Sequence, residues 1–271
     1  MSLTDSHIQF LYDGYLNTYC LWKSNSILGL QQFELDSDNR FSLFRRKLHK
    51  KLRLGQLAEQ FVFNELEQFE NCKILAENIQ VQKDKQTLGE LDALIEFNTK
   101  RIHLEIVYKF YLFDASLGTS EIAQWIGPNR NDSLIEKLKK LRDKQLPLLY
   151  SEDCHSTLKS LNLNAEDFQQ KILFKAQLFS PYKSLIKFKL INEHCLSGFY
   201  LNLNQLEDFS FCKFFIPSKL DWFLEPHTNV FWLDYISIKT EVIDYLKQNK
   251  SPLLWIKQPD STLQKCFLVW W

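Results

Sequence analysis

The chain has 271 residues, long enough to bury a sizeable core as one large domain or two small ones. Hydrophobic residues make up 45% and charged residues 24%, and 33 Lys+Arg balance 33 Asp+Glu, which argues against coating nucleic acid or membrane through bulk charge while leaving room for a local patch. The seven glycines, at 14, 29, 55, 89, 118, 127 and 198, are spaced too widely for a G-x-G-x-x-G dinucleotide turn or a G-x-x-x-x-G-K-[ST] phosphate loop. The opening MSLTDSHIQFLYDGYL has no basic n-region, sustained apolar run or small-residue cleavage site, and no stretch reaches 18 uninterrupted apolar residues, so the expectation is a cytoplasmic protein with no membrane partner. The six cysteines are scattered without a C-x-x-C and read as buried free thiols.

In chain order, residues 1–53 form an N-terminal extension that ends in the run RFSLFRRKLHKKLR (40–53), with seven basic residues and no acid. A helix follows, its apolar stripe made by Leu54, Leu57, Ala58, Phe61, Val62, Leu66 and Phe69. Strand-like runs cover 73–81, 89–97 and 101–109. A second helix spans Ser133 to about Leu146, with Ser133 and Glu136 as a capping-box signature. A further strand lies near 171–180, so residues 54–180 read as α-β-β-β-α-β. The remainder, 181–271, is an aromatic-rich α+β region with a helix near 239–248 and a last strand ending in FLVWW.

The middle strands carry the chemistry. Leu91, Ala93, Ile95 and Phe97 alternate with Glu90, Asp92, Leu94 and Glu96; Ile102, Leu104, Ile106 and Tyr108 alternate with Arg101, His103, Glu105, Val107 and Lys109. The pattern predicts one buried and one polar face on each strand. Matching polar face to polar face needs an even-length loop, and a two-residue Asn98–Thr99 turn sets Glu96 opposite Arg101. That register also sets Asp92 opposite Glu105, with Cβ atoms about 5 Å apart. Two carboxylates so close repel unless a proton or cation lies between them, and oxygen ligands suit a hard ion such as Mg²⁺. The alternative is a half-exposed hairpin whose carboxylates simply meet water.

The ordered segments LGQLAEQF, LAENIQV, TLGELDALI and HLEIVYKFYL, with WIGPNRNDSLIEKLKKLRDKQLPLL and LFKAQLFSP further on, resemble the bacterial domain-of-unknown-function 1853 family and, more broadly, the PD-(D/E)XK nuclease core. The resemblance covers 54–180. It implies an α/β, restriction-endonuclease-like α-β-β-β-α-β core with a mixed sheet flanked by helices, and a nuclease cleaving DNA with Mg²⁺. Carried onto this sequence, Glu59, Asp92 and Glu105 would bind metal, with the Ile106 carbonyl as an extra ligand. The family's lysine two residues after the Glu is replaced by Val107, so Lys109 would have to reach back. Glu65, nearer the centre of the helix stripe, is the other candidate helix acid. From the second helix, Gln145 and Lys137 would face the site.

For the substrate, Arg45, Arg46, Lys47, Lys50, Lys51 and Arg53 of the basic run are the candidate phosphate contacts, the alternative being a solvated surface. DNA is the expected polymer and RNA the alternative. Two other readings compete: a catalytically degenerate nuclease fold that binds without cutting, suggested by Val107, and a protein-interaction scaffold built on 181–271.

Overall fold

The computed structural model describes residues 4–23, 26–35, 42–48, 51–84 and 86–271. They hold five α-helices, α1 (Asp5–Leu16), α2 (Leu54–Leu66), α3 (Leu134–Lys140), α4 (Glu152–Ser160) and α5 (Tyr235–Lys247). Nine strands accompany them: β1 (Cys72–Lys83), β2 (Gln86–Phe97), β3 (Lys100–Phe113), β4 (Trp125–Ile126), β5 (Phe168–Pro181), β6 (Leu196–Leu201), β7 (Lys213–Phe215), β8 (Leu253–Lys257) and β9 (Leu263–Leu268). The order α2-β1-β2-β3-α3-β5 expected for 54–180 is present, with β4 and α4 added. No helix among the described residues is long and apolar enough to cross a membrane. The chain divides into two units. Among described residues one comprises 20–108 and 136–175, the other 4–19, 109–135 and 176–271, so β3 and β5 contribute to both.

In the first unit the hydrogen-bonded order is β1-β2-β3-β5. β1 and β2 form a long antiparallel hairpin, and β2 turns into β3 through Asn98 and Thr99, both at positive φ (50° and 64°). That is the geometry a two-residue hairpin needs to match strand twist, and Thr99 adopts it although its branched Cβ disfavours it. Glu96 stands opposite Arg101 as the charge pattern predicts. One expectation fails: β3 is buried on both faces from Ile102 to Tyr108, with His103 and Glu105 at 0% exposure. β3 is an inner strand, hydrogen-bonded along both edges, and other side chains cover both of its faces, so alternation along it separates two interiors rather than core from water. Ile79, Val81, Leu91 and Leu94 pack with Leu149, Cys154, Leu158 and Phe168 to form one of those interiors.

The predicted stripe of α2 is buried from Leu54 to Leu66, and Asn64 and Glu65 are buried with it. Asn64 accepts from the Arg45 N–H at 2.7 Å and donates to the Leu43 carbonyl at 3.0 Å, which straps 42–48 onto the helix. Glu65 belongs to an internal polar group with Cys20 and Lys175. Burial pushes the Cys20 thiol up, Lys175 opposes that shift, and Glu65 adds to it.

In the second unit the order is β5-β6-β9-β8-β7. β6 is parallel to both β5 and β9, whereas β8 is antiparallel to β7 and β9, so the strands form a mixed pattern. α5 starts at Tyr235, earlier than its periodicity suggests, because the Asp234 side chain caps it by accepting from the Ser237 N–H at 2.8 Å. Ile238 and Val242 of α5 then pack with Phe214, Leu254, Ile256 and Leu268.

Candidate active site

The β2–β3 ladder runs from Phe97–Lys100 to Ala93–Leu104 and then opens. The next positions hold Asp92 and Glu105, the two carboxylates that the register argument brings together. At the opening a side chain replaces a ladder bond: Asp92 Oδ2 accepts the Ile106 N–H at 2.7 Å. Its other oxygen has no hydrogen-bond partner among the described residues. Burial raises the Asp92 carboxyl well above the ordinary range, and the charge of Glu105 adds to this. The Ile106 N–H works against the rise, Glu59 adds to it, and Lys137 opposes it. Glu59, half-buried on α2, is therefore the helix acid whose field reaches Asp92, whereas Glu65 faces Cys20.

Glu105 is held differently. His103 Nε2 lies 3.1 Å from Oε1, and the Gln145 amide donates to Oε2 at 2.6 Å. The direction of the chain follows from its ends. Gln170 Nε2 donates to the Leu146 carbonyl, which fixes the amide orientation, and also lies 3.2 Å from His103 Nδ1. His103 Nδ1 therefore accepts, and Nε2 carries the proton given to Glu105. At the other end Lys137 Nζ donates to Gln145 Oε1 at 2.8 Å. One line of hydrogen bonds thus runs from Lys137 through Gln145, Glu105 and His103 to Gln170. A break in helical winding sets Gln145. α3 passes directly into a π turn over Leu141–Gln145, closed by the Leu146 N–H on the Leu141 carbonyl, and Pro147 follows. Such turns redirect a side chain and recur at functional sites.

Two neighbouring carboxylates, one of them with an oxygen left unbonded, can bind a hard cation or hold a proton. Mg²⁺ keeps several waters and needs only one or two protein carboxylates, which Asp92 and Glu105 provide, with Glu59 near enough to act on Asp92. Among the described residues no three His, Cys, Asp or Glu side chains are placed to hold a metal ion together, so Glu59 does not close a three-acid site with Asp92 and Glu105. An ion here would rest on the Asp92 and Glu105 pair and on its own waters.

The profile of DUF1853, a domain of unknown function, matches residues 25–267, which takes in every member of this cluster. The chain belongs to the DUF1853 family. No curated protein and no solved structure matches it. In this DUF1853 chain the other sequence candidates fall in different places. Ile106 is buried, and its N–H serves Asp92. Lys109 lies in the second unit, its ammonium 2.6 Å from Asp132. Arg46 is committed to the fold: its guanidinium reaches Glu67 and Glu77 at 2.6 Å each and Gln60 at 3.2 Å, and lies over the Phe63 ring. Arg45, Lys47, Lys51 and Arg53 are exposed, and Lys50 lies outside the described residues. His103 and Gln170 were not among the sequence candidates. A His-x-Glu spacing on one strand face is the signal for His103; only the pairing of β5 shows Gln170.

Proposed function

We propose that this protein is a Mg²⁺-dependent phosphodiesterase acting on DNA, with its site at the open end of the β2–β3 hairpin. The carrying observation is the pair Asp92 and Glu105 at the point where the ladder parts, with burial first and the charge of Glu105 second raising Asp92, and the Ile106 N–H and Lys137 opposing them. The order α2-β1-β2-β3-α3-β5 and the acids Glu59, Asp92 and Glu105 support a PD-(D/E)XK-like reading. Asp92 and Glu105 would hold the ion, with Glu59 adding negative charge near Asp92 and the Ile106 carbonyl as a further donor. Bound there, Mg²⁺ lowers the pKa of a water and offsets charge on the phosphate. The chain's own groups do the rest. Gln145 and His103 fix the rotamer of Glu105, the Ile106 N–H fixes Asp92, and Lys137 supplies positive charge to the acids. Val107 occupies the usual lysine position and is buried, so Lys137, whose charge acts on Asp92, takes that part in preference to Lys109.

Purified protein is expected to cut a panel of DNA substrates with Mg²⁺, and Asp92→Asn and Glu105→Gln to abolish cutting; undiminished cutting by both variants rejects the assignment. The enclosure of Glu105, with both oxygens occupied, favours a second reading, a nuclease-like fold that binds nucleic acid without cleaving it. That reading predicts salt-sensitive binding, no product, and indifference to chelator.

A further inference from the structure

Lys219, just before the turn that carries Trp222, is exposed as a residue, yet its ammonium lies 3.1 Å from the centroid of the Trp222 ring and 5.7 Å from that of Phe110. Both rings are buried, and the ammonium makes no ion pair among the described residues. The charged groups that face it are Lys109 of β3 and Asp132. Asp221, two residues on, is turned to Ser218 and His7. Two lysines thus share one carboxylate, and that carboxylate is already 2.6 Å from Lys109. Burial lowers the Lys219 ammonium, Lys109 adds to the fall and Asp132 opposes it, which leaves it at about 7.

The loop that presents Asp132 is tightly built. Gly127 donates to the Asp132 carbonyl at 2.7 Å, and Arg130, at φ 58°, donates to the Gly127 carbonyl at 2.8 Å. A Cβ on Gly127 would fall 2.1 Å from Asp132 Oδ1, so a glycine is needed there for the carboxylate to sit where it does. The cluster has a defined shape and sets two amines against one carboxylate.

We propose that Lys109 and Lys219 form a phosphate-binding site in the second unit, Asp132 holding Lys109 in place until a backbone phosphate of nucleic acid supplies the missing negative charge. This deepens the proposed function by adding a substrate contact, and it rests on that reading only for the identity of the polymer. A phosphate binds the protonated amine, so binding weakens as pH rises past 7, by up to about tenfold per unit.

The test uses the full-length wild-type protein in chelator, so that no cleavage occurs. Amines are acetylated briefly at pH 7 and mapped by mass spectrometry, with and without a DNA oligonucleotide or inorganic phosphate. Lys219, with far more free amine than an ordinary lysine, is expected to react first and to be protected by the oligonucleotide. In parallel, Lys219→Gln and Lys109→Gln are each expected to flatten the dependence of oligonucleotide affinity on salt by about one unit of slope. Protection by inorganic phosphate alone would overturn the nucleic-acid assignment. Labelling that ignores both ligands, or no oligonucleotide binding by the wild type, would overturn the site. Protection together with a flattened slope, in a protein that never cuts DNA, would uphold this site while refuting the hydrolase reading.

Discussion

The first unit gathers Glu59, Asp92 and Glu105 around a single lysine, Lys137; the second gathers Lys109 and Lys219 around a single carboxylate, Asp132. Acids outnumber the lysine in the first group, and lysines outnumber the acid in the second. Arg46, by contrast, is matched by Glu67, Glu77 and Gln60. On the proposed reading, the difference separates a charge whose every nitrogen donates within the chain, Nε to Gln60, Nη1 to Glu67 and Nη2 to Glu77, from charges left for a ligand. A structural ion pair is finished within the chain, and a binding site is left incomplete, at a cost in stability that the ligand offsets.

The largest expected effect is on chemistry. Asp92→Asn and Glu105→Gln should each lower DNA cleavage by on the order of 10³-fold or more, the scale of losing a preorganised electrostatic group; initial rates at saturating Mg²⁺ measure it. Next comes Glu105→Ala. It strands the His103 N–H and the Gln145 amide without an acceptor in a buried place, which should cost about 2–4 kcal/mol in urea unfolding. Arg46→Ala should cost about 1–3 kcal/mol by the same assay, through loss of charge-assisted bonds. It should leave the salt slope of DNA binding unchanged, and a reduced slope would return Arg46 to the substrate side.

The smallest effect carries a diagnostic sign. The folded-state pKa of Asp92 is raised above the unfolded value, so folding takes up a proton in the interval between the two. The group's contribution is fully present below the unfolded pKa, near 4, and fades as pH rises through the raised value. Asp92→Asn should therefore match the wild type in acid and exceed it in stability near pH 7, as read from urea midpoints across pH. A variant less stable at both ends would show that Asp92 is a structural group like Arg46.

Much of the hairpin was legible beforehand because its determinants are local. An even loop and one opposed charge pair, Glu96 with Arg101, fix the register as far as Ala93 and Leu104, and Asp92 and Glu105 are the next positions along each strand. Burial of β3 on both faces was not legible, since it depends on what packs above and below the sheet, which local alternation does not express. The direction of Gln145 follows from a π turn, which helical periodicity cannot express. The basic run looked like one surface because a charge run does not reveal its acceptors; Glu67 and Glu77 of Arg46 stand far along the sequence. Position on α2 alone left Glu59 and Glu65 as rivals, and Cys20 and Lys175, which claim Glu65, come from two other parts of the chain.

The central claim is that the surplus negative charge at Asp92 and Glu105 is a seat for a divalent cation. Melting temperature measured with and without saturating Mg²⁺, in the wild type and in Asp92→Asn, tests it directly. The account predicts that the ion raises the melting temperature of the wild type, while the variant starts higher and gains nothing from it. An equal gain in both proteins, or no gain in the wild type, would contradict it.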